Sequence, residues 1–170
     1  TTLVANIQNF LEDDSTELTA SIDQIIGQAE DMIFQRLPNL PCFRLTTSAN
    51  MVAGTFDYTV ASARMIRQVS VTISSNVSYL DHRIDSYLRD YWPNSATQGV
   101  PEFYSTKTAG TAGTVITLAP TPNSTDTYQV DYIAPEAGLS SSNANNWIGD
   151  NAENVLLSAC LYEASAFLKA

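Results

Sequence analysis

The chain has 170 residues and a mass of 18.5 kDa, with 44% apolar and 15% charged residues. That is enough to bury a core in one compact domain over residues 1–170, and too apolar for wholesale disorder. The formal net charge of -10 comes from 18 Asp and Glu against 8 Lys and Arg that form no run, which argues against a protein that reads DNA or RNA through clustered cations.

Leu3, Ile7, Phe10 and Leu11 recur at helical spacing and predict a short helix ending near Glu12. Asp14 with Glu17 has the form of a capping box, so a second helix is expected to start there. Its stripe runs Leu18, Ile22, Ile25, Ile26, Ala29, Ile33 and Leu37 until Pro38 ends it. Asp23, Glu30 and Asp31 read as the wet face of this helix, and Asp13-Asp14 as capping and dipole groups.

Beyond Pro41 the texture becomes Thr-rich and alternating. Strands are expected over 42–47 and 54–61, with Phe56, Tyr58 and Val60 on one face, and again where Val69, Val71 and Ile73 alternate with polar residues. Leu80, Ile84, Leu88 and Tyr91 predict a short connecting helix before Pro93. A strand is expected to begin at Val100–Tyr104, followed by a hairpin turn over 109–113, a strand over 115–118 and a turn over 120–123. Tyr128, Val130 and Tyr132 mark a final strand, and 138–146 a polar, mobile loop. The last helix is expected to begin at Asp150, with Glu153 completing a capping box, and its wide apolar stripe still runs at Ala170. A helix stopped mid-pattern implies a docking partner or further residues beyond. The fold class is therefore α+β: a helical bundle of two N-terminal helices and a long C-terminal helix, with a small antiparallel β-sheet.

Catalytic and ligand-binding signatures are missing. No phosphate-binding glycine loop, nucleophile elbow or zinc-protease motif occurs, and the single histidine, His82, sits among Asp81, Arg83 and Asp85 as in a solvated helix start. Cys42 and Cys160 read as two free core thiols, and one histidine with two distant cysteines does not make a zinc site. No catalytic residue, cofactor or metal is expected. Tyr87, Tyr91 and Trp92 form an aromatic cluster suited to packing or to anchoring an interface. No apolar run nears the ~20 residues that span a bilayer. Nothing at the N-terminus reads as a signal peptide, so a cytoplasmic origin without membrane contact is expected.

The order of the segments resembles a known family. Val100-Pro101-Glu102-Phe103-Tyr104 is followed by Ile116-Thr117-Leu118-Ala119-Pro120-Thr121-Pro122, then Tyr128-Gln129-Val130-Asp131-Tyr132 and Pro135. Leu139-Ser140, Asn146-Trp147-Ile148 and the run from Asn154 to Ala164 come next. With the helical start over 7–11 and 18–37 and Phe56-Asp57-Tyr58 in the middle, this resembles the head-to-tail adaptor (connector) proteins of tailed bacteriophages. The resemblance implies a virion structural protein made in the host cytoplasm and placed at the capsid–tail junction. It implies a ring of twelve copies under the portal that contacts the portal protein and tail or nozzle proteins. Genomic DNA would pass through without sequence-specific binding, and an acidic lining would keep the duplex moving. Candidate portal or subunit interface residues are Trp147, Leu156, Leu157, Leu161, Phe167 and Leu168. A tail-completion or tail-terminator ring is the alternative with the same assembly logic. A virion-associated carbohydrate-degrading enzyme would need two carboxyls of separated pKa in a cleft, and a plain binding module would be a monomer with a pocket.

Overall fold

The computed structural model describes residues 2–140 and 142–167. Helices α1 (Thr2–Leu11) and α2 (Thr16–Arg36) lead into a 3-10 turn over Pro41–Phe43. Strands β1 (Arg44–Asn50), β2 (Asp57–Ala61), β3 (Met65–Ile73), β4 (Asn76–Tyr79) and β5 (Asp81–His82) follow, then helix α3 (Asp85–Tyr91). Next come β6 (Gln98–Gly99), β7 (Phe103–Thr108), β8 (Gly113–Ala119), β9 (Thr121–Pro122) and β10 (Thr127–Ile133). Helices α4 (Trp147–Asn151) and α5 (Glu153–Phe167) close the described chain.

Two compact units emerge: a helical one from residues 1–43 and 135–170, and a β unit from Arg44–Ala134. The β unit is an insertion whose ends lie side by side, because its first residue, Arg44, pairs with Ile133 near its last. Adjacent termini are what allow one compact unit to be inserted into another.

In the helical unit the α2 stripe behaves as its spacing requires. Leu18, Ile22, Ile25, Ile26, Ala29 and Ile33 are buried, and α2 packs on α5, which contributes Leu156, Ala159, Cys160 and Ala164. Leu37 closes the helix as its C-cap and stays exposed. The N-cap is one residue later than the Asp14 expectation. Ser15 Oγ accepts from Leu18 N at 3.2 Å, while Asp13 Oδ1 accepts from Ser15 N at 2.8 Å. The expected single C-terminal helix starting at Asp150 is two helices. Ala152 leaves helical geometry; its N–H closes α4 on Ile148 O, and its carbonyl accepts the first bonds of α5 from Val155 and Leu156.

In the β unit two four-stranded sheets form, ordered β1-β10-β3-β4 and β2-β8-β7-β5, with a two-stranded pair β6-β9. All pairings are antiparallel except β5 with β7 and β6 with β9. Val69, Val71, Tyr128 and Val130 of the first sheet share one buried cluster with Val60, Tyr104, Ile116 and Leu118 of the second. Each such side chain contributes about 1.5–3 kcal/mol on leaving water.

The chain is α+β, but the expected bundle with a long C-terminal helix and one small antiparallel sheet is overturned. Five α-helices and ten strands in three sheets are present among the described residues. The physical reason is that β3, β8 and β10 each bury apolar residues on one face, and a sheet so patterned must find a second layer to cover it. The strands supply that layer themselves by dividing into two sheets. Four short strands also escaped the pattern: β4 and β5 are exposed along their length, and β6 and β9 have two residues each. They are held by backbone bonds to a neighbour, which leave no period in the sequence. His82 accordingly lies on β5, not at a helix start.

Candidate interaction surfaces

The first surface is in the helical unit and begins with a partly buried polar network. Glu30 follows Ile22 and Ile26 at four-residue steps along α2, so it sits at the margin of the apolar stripe, not on the wet face with exposed Asp23 and Asp31. Its carboxylate accepts from Leu139 N at 3.1 and 3.2 Å and from Asn146 Nδ2 at 2.6 Å. Asn146 in turn caps α4, its Oδ1 accepting from Gly149 N at 2.8 Å. Glu136 Oε1 accepts from Trp147 N at 2.8 Å, and its Oε2 is buried without a partner among the described residues. Both ends of the polar loop are thereby tied down, and Trp147 is held in place with its ring partly exposed.

Burial raises the Glu30 pKa; the bonds from Leu139 and Asn146 oppose this, and the nearby charges of Glu136 and Asp31 reinforce it. Burial, with the Glu30 charge behind it, pushes the Cys160 thiol up to about 12. Cys42 is also raised, chiefly by burial, and both cysteines are free. Cys160 packs in the core of the helical unit, and Cys42 is half-buried.

Of the candidate interface residues, Leu156 is 1% exposed and belongs to the helical core. Leu157 and Leu161 are half-buried and Phe167 is exposed; Leu168 lies outside the described residues. Val155 and Tyr162, which belong to the apolar stripe of the last helix but not to the candidate interface residues, are seven apart on α5 and both exposed, Tyr162 at 62%. A helix apolar on its outer as well as its inner side signals a further partner. A groove of about 570 Å³ in the same unit is lined by Leu3, Asp23, Ile26, Asp150, Glu153 and other residues. Glu30 does not line it; its carboxyl is engaged by Leu139 and Asn146.

The second surface is on the β unit. Tyr87, Tyr91 and Trp92 are joined by Phe103, with ring centroids 4.5 Å apart for Tyr87–Tyr91 and 5.4 Å for Trp92–Phe103. The Arg83 guanidinium lies 5.7 Å from the Tyr87 ring and 5.6 Å from that of Phe103, a cation–π arrangement that also orients its ion pair with Asp81. Tyr91 and Ile84 remain exposed beside it.

A third feature is a cleft of about 440 Å³ between β3 of one sheet and β5 and β7 of the other, lined by Arg64, Met65, Arg67, His82, Tyr104 and Thr106, with Ile66 and Thr114. A β-bulge in β3 lies along it. Ile66 lies opposite Tyr132 and Gln68 opposite Asp131, so Arg67 is an extra residue without a partner in the ladder, and such residues re-aim a side chain.

The model of the SU10 adaptor protein family matches residues 1–170, the whole chain. The chain belongs to this family. No curated protein matches it. As an SU10 adaptor protein it is a structural protein of a phage virion and interacts with other virion components. Among the described residues no helix is long and apolar enough to cross a membrane, and no group of three His, Cys, Asp or Glu is placed to hold a metal.

Proposed function

We propose that this chain is a head-to-tail adaptor that forms a dodecameric ring below the portal, joins the capsid portal to the tail, and extends the DNA channel at the virion neck. The observation that carries this is the match of the adaptor family over the full 170 residues. Both units act together as one adaptor in this proposal, and its partners are further copies of itself, the portal protein, and tail or nozzle proteins. DNA passes without sequence-specific binding. The surplus of acidic residues favours this, since a wall of like charge gives a duplex no sites at which to stick.

The proposed protein-facing surface is Trp147 with Leu157, Leu161 and Phe167 of α5, joined by Val155 and Tyr162; Leu168 enters by its place in the sequence. Leu156 acts from beneath by holding α5 in place. No catalytic step is part of the function. Aromatic and long aliphatic groups on one rigid helix are the side chains that anchor interfaces best, because they desolvate a large area at small entropic cost.

Native mass spectrometry of the purified chain, alone and mixed with a candidate portal protein, tests the proposal. A closed ring, or a monomer that joins the portal in a complex of fixed stoichiometry, is the expected result. A chain that ignores the portal and caps a tail tube would be a tail-completion ring instead, and one that stays monomeric with both would overturn the adaptor role.

A further inference from the structure

Charge is divided unequally between the two units. Residues 1–43 and 135–170 hold eleven Asp and Glu against two Lys and Arg, whereas residues 44–134 hold seven against six. Within the β unit three cations are already used: Arg83 pairs with Asp81, Arg89 with Asp85, and Lys107 with Asp57. Arg64 and Arg67 have no ion-pair partner among the described residues, although both are exposed and line the same cleft. Beside them lie Met65, 53% exposed, and the partly buried Ile66. The cleft is therefore cationic and apolar at once, in a protein of net charge -10.

The helical unit carries a segment of matching character. The turn from α1 into α2 contains Glu12, Asp13, Asp14 and Glu17, and Phe10 just before it is 68% exposed. None of these carboxylates has an ion-pair partner among the described residues. Asp13 serves Ser15 N, which leaves Glu12 and Asp14 as outward charges.

We infer that the Arg64–Arg67 cleft receives the acidic α1–α2 turn of a second copy of this chain, with Phe10 against Met65 and Ile66 and with Glu12 and Asp14 facing the two guanidinium groups. This rests on the ring proposed above and specifies its subunit contact. A ring needs a heterologous, head-to-tail contact made from two different patches on each protomer, and these two patches are complementary in charge and in apolar content. Arginine suits the role because its planar fork binds carboxylates with two parallel hydrogen bonds and loses less on desolvation than lysine. The bulge matters because it supplies the second guanidinium from a strand whose alternation would otherwise aim it elsewhere.

A charge-swap experiment tests this by sedimentation velocity and native mass spectrometry. In one variant Arg64→Glu and Arg67→Glu reverse the two charges of the cleft; in the other Glu12→Arg and Asp14→Arg reverse the two charges of the turn that face it. Each variant alone should self-associate at least about tenfold more weakly than the parent chain, since like charges then face one another. Mixed in equal amounts they should assemble again as alternating copies, because every cleft then meets a turn of opposite sign. That rescue also shows that both variants are folded. Assembly of either variant alone at parental strength, or no assembly of the mixture, overturns the contact while leaving the ring intact. A parent chain that does not assemble even with the portal overturns the ring itself. If the cleft variant assembles normally but loses affinity for duplex DNA, the cleft is a phosphate contact and the inference fails.

Discussion

Glu30 shows how a single carboxylate organises the helical unit: it satisfies Leu139 N and Asn146 Nδ2, and through Asn146 it steadies the cap of α4 and so the position of Trp147. Glu30→Ala would strand these donors, and a loss of about 1–3 kcal/mol in denaturant unfolding is expected. Because burial raises its pKa, the folded chain holds this proton to a higher pH than the unfolded chain does. The contribution to stability is therefore fullest below the ordinary carboxyl range and declines as pH rises through the raised value. Unfolding measured from the ordinary carboxyl range up to neutrality should show this decline, and Glu30→Gln should flatten it. An unchanged slope in Glu30→Gln would assign the pH dependence to another group. The sequence marked Glu30 only weakly. It stands at the edge of the stripe, four residues after Ile26, and its partners lie more than a hundred positions away.

At the level of elements, the hairpin between β7 and β8 depends on Gly113. It has φ +123°, and a Cβ there would run into Val60 O and Ser62 N of the adjoining strand end. Gly113→Ala is expected to destabilise the β unit by about 1–3 kcal/mol or more, because the strained backbone and the collision add. A thermal melt that did not move would refute this account of the turn. The turn itself was legible from its Gly-Thr-Ala-Gly sequence, and the long strands from their alternation. The bulge in β3 was not legible, since nothing in Arg64-Met65-Ile66-Arg67 says that Arg67 lies opposite no partner. The candidate surface divided in the same way. Trp147 and the apolar residues of α5 could be named in advance, yet Leu156 turned inward while Val155 and Tyr162 remained outside.

Over the whole molecule, the charge imbalance suggests how assembly should respond to salt. A contact between an acidic turn and a cationic cleft at the surface is screened over roughly 8–10 Å at physiological ionic strength and over shorter distances above it. Ring formation should weaken steadily as sodium chloride is raised, as read by the assembled fraction in sedimentation velocity. Assembly that strengthens with salt would instead assign the dominant contact to the apolar face of α5. By itself the sequence determined where the α2 stripe lies, which long segments alternate as strands, and which family the segment order resembles. These depend on neighbours within a few residues, whose spacing sets which faces are apolar. Tertiary structure alone decided that residues 1–43 and 135–170 form one unit, that the strands divide into two sheets, and that Arg64 and Arg67 share a cleft. Each of these depends on pairing between residues far apart in the chain, where many registers satisfy the same local pattern and only packing selects among them.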